Sequence, residues 1–287
     1  MTGDQKTSTK NTPGHEVFSN TRLATDVHRL VIDAPRVAAA RQPGQFVIVR
    51  LGPGAERIPL TIADSDADHG SIAVVIQAVG KSTSDLVALA PGDHIADVAG
   101  PLGRPSDLIK AGTVVCVAGG VGAAVIYPIA RRLAEIGADV VTVLGARTSA
   151  NVLFADEFAS FSELLVCTDD GSAGRAGLVT DVLRDLIDQR SIDMVYAAGP
   201  VPMMRAVAAV TEPTGVRTIV SLNPIMVDGT GMCGGCRVTV NGTMRFACVD
   251  GPEFDGHGVD FDELSDRIGT YLAAEREASA HVCAGSL

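Results

Sequence analysis

A glycine-rich segment of this 287-residue chain carries three cysteines in the spacing Cys233-x2-Cys236-x11-Cys248, and four residues separate Asp228 from the first of them. The spacing matches the Cys-x4-Cys-x2-Cys…Cys run that holds plant-type two-iron clusters, with an aspartate in the first ligand position. Four glycines lie between Asp228 and Cys236. Glycine adopts positive φ angles readily and leaves room for backbone N–H groups to approach sulfur. We therefore predict a 2Fe–2S cluster loop with Asp228, Cys233, Cys236 and Cys248 as its ligands.

Other interpretations of this loop stay open. Aspartate together with a Cys-x2-Cys pair can also ligate a single zinc ion. A disulfide is disfavoured in a reducing compartment. A carboxylate is a harder donor than a thiolate, and aspartate often closes a turn through its own side chain, so Asp228 could act in the turn alone. Among the six cysteines of the chain, Cys116 and Cys167 lie on apolar strands and suit a packing role, whereas Cys283 is expected to be a free thiol in the tail.

The composition narrows the class of partner and the cellular compartment. The formal net charge of -11 argues against a nucleic-acid surface, which would need a basic stripe. No apolar run approaches the roughly 20 residues that cross a bilayer, and the first residues lack the apolar core of a signal peptide. We therefore expect a cytoplasmic protein that binds neither nucleic acid nor membrane.

The pattern of apolar runs and turn residues changes twice along the chain. Short β-branched runs broken by Pro-Gly and Gly-Pro turns predict an antiparallel sandwich or barrel in the first third. Continuous apolar strands then alternate with helical patterns, which predicts a parallel α/β sheet. The expected divisions are a disordered tail at 1–14, the barrel at 15–104, the α/β domain at 105–221, the cluster loop at 222–259, and a C-terminal helix with an acidic outer face and a tail at 260–287.

A nucleotide site is predicted where the apolar strand 113–118 runs into Gly119-Gly120-Val121-Gly122 and a helix. Glycines at such a junction let the backbone approach a pyrophosphate, and the helix N-terminus favours the anion. The motif is not Gly-x-Gly-x-x-Gly, so an ordinary Rossmann dehydrogenase is not inferred, and glycines also serve tight turns. Gly199-Pro200 ends a later strand, where it can face the same cleft at the carboxyl edge of the sheet.

A nicotinamide nucleotide and a one-electron cluster in one chain require a group between them that exchanges both hydride and single electrons, and a flavin does so. We therefore expect FAD in the barrel. The candidate segments combine a cation and a hydroxyl with permissive backbone, although each could be an ordinary polar turn: Arg57-Ile58-Pro59-Leu60-Thr61 and Gly80-Lys81-Ser82-Thr83.

The chain resembles the ferredoxin–NADP reductase superfamily, in its dihydroorotate dehydrogenase electron-transfer subunit branch. Within that branch it is similar to the small (alpha) subunits of NADH-dependent ferredoxin:NADP⁺ oxidoreductases, also described as sulfide dehydrogenase beta subunits. The resemblance covers nearly everything after residue 15 and rests on the segments 57–64, 79–83, 100–103, 118–122, 168–172, 199–204, 223–233 and 247–257.

The resemblance implies FAD in the barrel, NAD(H) on the α/β domain and a 2Fe–2S cluster in the C-terminal loop. It supports Asp228 as a ligand, because the dihydroorotate-linked relatives have a cysteine there. It extends the nucleotide site to Met203. It also implies a heterodimer with a larger flavoprotein, similar to the glutamate synthase small subunit, in which electrons are bifurcated. The expected function is electron transfer among NAD(H), FAD, the cluster and that partner.

The chain departs from the superfamily pattern in the flavin motif. That motif is Arg-x-Tyr-[Ser/Thr], whereas here Leu60 takes the aromatic position and Arg57 stands one residue early. Thr61 is therefore a better candidate for the hydroxyl beside the flavin than Arg57 is for the pyrophosphate cation. After Gly122, alanines replace the usual proline, which affects the helix start.

Further nucleotide contacts and two other functions are open. Asp169 and Asp170 could reach a ribose hydroxyl or merely form a turn. Arg147 could sense the adenosine end, where a 2′-phosphate would need a cation, or be a surface arginine. The alternatives to the bifurcating oxidoreductase are the electron-transfer subunit of dihydroorotate dehydrogenase and a non-catalytic metal-binding subunit of a redox complex.

Overall fold

A computed structural model of the protein describes residues 14–110 and 112–270. The expected tail at 1–14, apart from Gly14, and the segment 271–287 with Cys283 lie outside these residues. The N-terminal region forms seven antiparallel strands with two short helices between them. These are β1 (His15–Ala24), β2 (Val27–Asp33), α1 (Pro35–Ala40), β3 (Phe46–Arg50), β4 (Ile58–Asp66), β5 (Ser71–Gln77), α2 (Lys81–Val87), β6 (His94–Ile95) and β7 (Asp97–Leu102).

The seven-stranded sheet has the order β6-β1-β2-β5-β4-β3-β7. Its two outermost strands, β6 and β7, are consecutive in the chain and separated by Ala96 alone. The sheet must therefore curl until its edges meet, and the predicted barrel is confirmed. Apolar side chains from facing strands fill the interior, among them Leu30, Val47, Ile62 and Val74, all fully or nearly fully buried.

The second part of the chain alternates strands and helices. The elements are β8 (Thr113–Gly119), α3 (Gly122–Glu135), β9 (Asp139–Ala146), α4 (Ala155–Ala159), β10 (Glu163–Thr168), β11 (Arg175–Ala176), α5 (Val179–Gln189), β12 (Met194–Ala198), α6 (Val201–Thr211) and β13 (Arg217–Ser221). Strands β8 to β13 are parallel in the order β11-β10-β9-β8-β12-β13. The predicted parallel α/β domain is confirmed.

Helices cover both faces of the parallel sheet. Along β8, Val114 and Cys116 pack with side chains of α3, whereas Val115 and Val117 pack with side chains of α5 and α6. Successive side chains of a strand point to opposite faces, so both faces of β8 must be apolar. This explains the uninterrupted apolar run in the sequence.

The cysteine-bearing segment adds β14 (Arg237–Val240), β15 (Thr243–Phe246), α7 (Ala247–Asp250), β16 (Glu253–Asp255) and α8 (Phe261–Gly269). Strands β14 and β15 form a hairpin, while β16 pairs antiparallel with β13. The segment is thus attached to the edge of the α/β sheet, and Cys236 and Cys248 share a core with Val115 and Phe46. In the described part of the chain, no helix is both long and apolar enough to cross a membrane.

Candidate functional site

A cleft of about 990 Å³ lies where the barrel faces the carboxyl ends of the parallel strands. One wall comes from the barrel and the other from the loops after β8, β9, β10 and β12. It brings together twelve of the predicted cofactor residues, namely Pro59, Leu60, Thr61, Thr83, Gly119, Gly120, Gly122, Arg147, Asp169, Gly199, Pro200 and Met203. Ligands bind at this edge in open α/β sheets.

Three glycines let the loop after β8 and the loop after β12 pack against each other. A Cβ on Gly122 would lie 2.1 Å from the carbonyl oxygen of Ala198, and one on Gly119 would lie 2.5 Å from Sδ of Met203. A Cβ on Gly199 would lie 2.7 Å from Cε of Met203. At Gly122 the facing backbone excludes any side chain, whatever binds in the cleft, whereas at Gly119 and Gly199 the closest group is the flexible end of Met203.

Gly120 differs from its neighbours. It is exposed, its φ is +54°, and an added Cβ would meet nothing within 4 Å. Its backbone therefore faces open space in the cleft, immediately before the start of α3. A backbone that approaches an anion closely at a helix N-terminus has this arrangement.

Two hydrogen bonds join the loops after β9 and β10. The N–H of Asp169 donates to Ala146 O over 3.0 Å, and that of Asp170 donates to Arg147 O over 3.3 Å. Arg147 and Asp169 line the cleft, but Asp170 does not. The Asp170 carboxylate instead accepts the N–H and hydroxyl of Ser172, which lowers its pKa. Asp170 therefore has a turn role in the structure, and of the two aspartates only Asp169 lines the cleft.

The two predicted flavin segments are placed differently. Pro59, Leu60 and Thr61 face the cleft from β4, whereas Arg57 is exposed and is not part of the cleft wall. Lys81 and Ser82 line a separate cavity of about 270 Å³, where Lys81 pairs with Asp85 and the Ser82 hydroxyl donates to Glu56.

Thr83 lies at the first turn of α2. Its hydroxyl oxygen accepts the N–H groups of Val79 and Gly80, each over 3.0 Å, and so closes the helix start. Gly80 is the residue that precedes α2 and is not in the cleft wall. Of this segment, only Thr83 reaches the cleft.

Several cleft residues lie outside the predicted set. Among them are residues 25–27 at the junction of β1 and β2, residues 177–179 at the start of α5, the stretch 221–224 with Met226, and Pro252. No local sequence motif marks these residues, although Val79 and Leu178 are exposed apolar residues that both line the cleft. The stretch from Ser221 runs along the chain into Asp228, so the cysteine loop directly follows this part of the cleft lining in the sequence.

The cysteine loop is shaped by backbone that favours glycine. Gly229, Gly231 and Gly234 have φ angles of 74°, 83° and 67°. The Sγ atoms of Cys236 and Cys248 are 3.1 Å apart, and the Gly235 N–H donates to Sγ of Cys233 over 3.5 Å. N–H donation to sulfur is a feature that stabilises thiolate ligands of iron–sulfur clusters.

Asp228 spans the loop through its carboxylate. Oδ1 accepts the Thr230 N–H over 2.9 Å and Oδ2 accepts the Cys233 N–H over 2.8 Å. These hydrogen bonds lower the pKa of Asp228 to about 2, so the carboxylate is ionised at neutral pH. Burial, with the adjacent Cys236, raises the pKa of Cys248 to about 12. A metal must therefore displace the Cys248 proton on binding.

The donor set fits a thiolate-bound cluster better than a disulfide. The 3.1 Å separation of Cys236 and Cys248 exceeds the roughly 2.05 Å of a disulfide bond, and both thiols are free. Within residues 14–110 and 112–270, no three candidate side chains already converge as a metal site. Cys236 and Cys248 are thus in contact, and Asp228 and the exposed Cys233 lie on the same loop.

Comparison with known proteins identifies two segments. Residues 223–260 match the iron–sulfur cluster binding domain of dihydroorotate dehydrogenase B, and residues 116–209 match the oxidoreductase NAD-binding domain. The first contains all four predicted ligands, and the second contains the Gly119–Gly122 loop. The prediction that the chain binds FAD, NAD and a 2Fe–2S cluster is confirmed.

The most informative relatives cover nearly the whole chain. The electron transfer subunit homolog of dihydroorotate dehydrogenase B from Thermotoga maritima is 48% identical, over 91% of this chain and 93% of its own length. The electron transfer subunit of Bacillus caldolyticus is 39% identical, over 83% of this chain and 94% of its own.

Solved structures agree in fold. A structure described as the NADH-dependent reduced ferredoxin-NADP oxidoreductase, in connection with flavin-based electron bifurcation, aligns with a TM-score of 0.90 at 46% identity, covering 95% of this chain and 99% of that one. The Amycolatopsis cytochrome P450 reductase, at 21% identity and a TM-score of 0.61, shares the fold. The chain therefore belongs to the family of dihydroorotate dehydrogenase B electron-transfer subunits and their homologues, within the ferredoxin–NADP reductase superfamily.

Proposed function

We propose that this protein is the NADH-side electron-transfer subunit of an NADH-dependent ferredoxin:NADP⁺ oxidoreductase. It passes electrons between NAD(H), FAD and a 2Fe–2S cluster and exchanges them with a larger flavoprotein. The observation that carries the proposal is the arrangement of the site along the chain. The cleft bordered by Thr61 and Gly120 is also lined by 221–224 and Met226, and the chain runs from there into the loop of Asp228 and the cysteines.

Each part of the chain has a defined task in this proposal. FAD, when bound, supplies the exchange between a hydride and single electrons. Pro59, Leu60 and Thr61 would hold its reactive end, while Gly120 and the start of α3 would hold the nucleotide pyrophosphate. Arg147 and Asp169 would orient the adenosine end, and Asp228, Cys233, Cys236 and Cys248 would ligate the cluster. No general acid or nucleophile is required of the protein.

The remaining predicted contacts are kept as weaker assignments. Five of them lie outside the cleft wall: Arg57, Gly80, Lys81, Ser82 and Asp170. They could contact a cofactor only through a part of it that extends out of the cleft. The proposed division of the chain stays at 15–104, 105–221 and 222–259, with the pairing of β16 and β13 joining the last two.

The partner is proposed to be a larger subunit similar to the glutamate synthase small subunit. The support is the description of the relatives as electron transfer subunits and the 0.90 TM-score to a bifurcating oxidoreductase. We further propose a cytoplasmic location, because thiolate ligands are kept reduced there.

A second candidate is favoured by the names of the relatives, which are electron transfer subunits of dihydroorotate dehydrogenase B. The electron path would be the same, and only the partner would differ. Asp228 is the feature against it, because a cysteine is expected there in that branch.

Purification of the affinity-tagged chain from its own cells, under anaerobic conditions, separates the two. We expect a larger flavin- and iron-containing subunit to co-purify, with NADP⁺ reduction that requires both reduced ferredoxin and NADH. Dihydroorotate oxidation by the complex would establish the second candidate instead. A chain that purifies without flavin or iron would leave only a non-catalytic metal-binding role and refute both.

A further inference from the structure

Asp64 joins the barrel to the α/β domain through arginines from both. Its carboxylate lies 2.9 Å from Nη2 of Arg131, which is on α3. From the barrel side, Nη2 of Arg29 and Nη2 of Arg41 lie 3.4 and 3.5 Å from the same carboxylate. Three cations thus surround one acid on β4, and Arg131 is the only one of them that comes from the other domain.

The elements joined by this pair are the two that form opposite walls of the cleft. Strand β4 carries Thr61 three residues before Asp64. Helix α3 begins at Gly122, immediately after the Gly119–Gly122 loop, and carries Arg131 about two and a half turns further on. The Asp64–Arg131 pair therefore connects the barrel wall of the cleft to helix α3, which begins at the Gly119–Gly122 loop.

Packing and hydrogen bonds fix the surroundings of both Arg131 and Asp64. The Arg131 guanidinium lies 5.2 Å from the centre of the Tyr127 ring, and that ring stacks on Phe154 at 5.4 Å. On the barrel side, the Arg41 side chain is only 8% exposed, and its Nε donates to Ser65 Oγ over 2.8 Å. An ion pair between side chains already fixed by packing loses little conformational entropy and can define a geometry.

We propose that Asp64 and Arg131 are positioning residues for hydride transfer: their ion pair sets the separation between the barrel wall at Thr61 and the nucleotide loop at Gly120. Neither side chain is part of the cleft wall. The inference rests on the proposed function, since it requires NADH and FAD to meet in this cleft. A misplacement of reacting atoms by about 1 Å can slow a reaction by about 100-fold.

The test compares Arg131→Gln with Arg190→Gln in the FAD-loaded full chain. Arg190 is a matched control because it pairs with Glu163 within the α/β domain and its side chain is 32% exposed, the same as that of Arg131. Stopped-flow mixing with NADH under anaerobic conditions gives the rate of flavin bleaching at saturation and the Kd of NADH. Thermal unfolding and flavin content are measured in the same samples.

We expect Arg131→Gln to slow flavin bleaching at saturating NADH by about tenfold or more per bound flavin, with little change in Kd. Arg190→Gln should leave the rate at the wild-type value, and Arg131→Lys, which keeps the charge, should recover part of it. Asp64→Asn is the second variant, and it should slow bleaching likewise even if Arg131→Gln fails to fold.

Wild-type rates per bound flavin in both the Arg131 and the Asp64 variants, even with a lower Tm, would overturn the inference and leave only a structural role. That result is distinct from failure of the proposed function. In the latter case the wild-type protein itself would not be bleached by NADH, and the inference would fall with it.

Discussion

The Sγ atoms of Cys236 and Cys248 lie 3.1 Å apart, although the residues are 12 positions apart in the sequence. The hairpin of β14 and β15 accounts for this contact, because it returns the chain so that the Ala247 N–H donates to the Cys236 carbonyl over 3.0 Å. The loop is therefore organised by backbone pairing, and the ligands follow from it.

Replacement of Cys248 by serine should abolish the cluster. The hydroxyl is a poor soft-metal ligand, and Cys236 would lose its neighbouring donor. Iron content and visible absorbance of the purified protein measure the loss. Cys116→Ala is the control, since Cys116 is fully buried in β8 and away from the loop. Retention of a full complement of iron in Cys248→Ser would contradict the ligand assignment.

A second prediction concerns Arg267 of α8. Its Nη2 donates to the Gly235 carbonyl over 3.4 Å, and its Nε is buried with no hydrogen-bond partner among the described residues. A cation at the cluster loop favours the reduced, more negative cluster. Arg267→Gln should therefore lower the cluster reduction potential. For this one-electron couple, a shift of about 59 mV corresponds to a tenfold change in the ratio of reduced to oxidised cluster.

A potentiometric titration followed by electron paramagnetic resonance measures this shift. Arg205→Gln is the control, because Arg205 pairs with Asp262 at the exposed start of the same helix. A potential that does not move in Arg267→Gln, or that moves equally in both variants, would show that Arg267 does not tune the cluster.

The order of barrel, α/β domain and cysteine loop was predictable because each has a local signature. Alternating short strands, the uninterrupted apolar run of β8 and the Cys-x2-Cys spacing are all visible within a few residues. The helix predicted after the Gly119–Gly122 loop is α3, which spans Gly122–Glu135. These features depend on periodicity and turn chemistry, which act over short distances.

The contacts between distant segments were not predictable. Asp64 and Arg131 are 67 positions apart, and the motif that ends at Asp64 says nothing of a partner on α3. Likewise, the placement of Lys81 and Ser82 in a separate cavity depends on how α2 docks against Glu56. A sequence pattern identifies the residue types near a cofactor, but only the packing of whole elements decides which side chains face it.

A third prediction separates the binding role of Gly120 from its backbone role. Gly120 and Gly215 both have positive φ, +54° and +67°, and an added Cβ meets nothing within 4 Å at either site. Alanine at each should cost about 1 kcal/mol of stability. Only Gly120→Ala should weaken NADH binding, by about tenfold or about 1.4 kcal/mol, because Gly120 faces the cleft.

Thermal unfolding and NADH titration of the two variants supply the comparison. Equal NADH affinity in Gly120→Ala and Gly215→Ala would show that the nucleotide does not approach this backbone. Gly122→Ala is unsuitable for the purpose, since its Cβ would clash with the Ala198 carbonyl and disturb the start of α3.

A fourth prediction concerns the pH dependence of stability. Burial raises the pKa of Glu253 to about 7, although the Ser106 hydroxyl donates to its Oε1 over 2.6 Å. In the unfolded chain a glutamate has a pKa of about 4.3. Below that value the carboxyl is neutral in both states. Between these two pKa values only the unfolded chain ionises, so stability falls as pH rises, by up to about 4 kcal/mol.

Glu253→Gln should remove this loss, because the amide oxygen can still accept from Ser106 but cannot ionise. Urea unfolding at pH 5 and pH 8 measures it: the variant should gain stability over wild type mainly at pH 8. Glu212→Gln, at an exposed glutamate, is the control and should follow wild type. An equal gain at both pH values would show that burial of the Glu253 charge is not the cause.

Anaerobic titration of the FAD- and iron-loaded chain with NADH tests the central claim most directly. The oxidised protein should show flavin and iron–sulfur absorbance together. NADH should bleach both at about one and a half equivalents, since each hydride carries two electrons, FAD accepts two and the cluster accepts one. A protein that carries both groups but keeps the oxidised flavin spectrum in excess NADH would contradict electron transfer from NADH through this cleft.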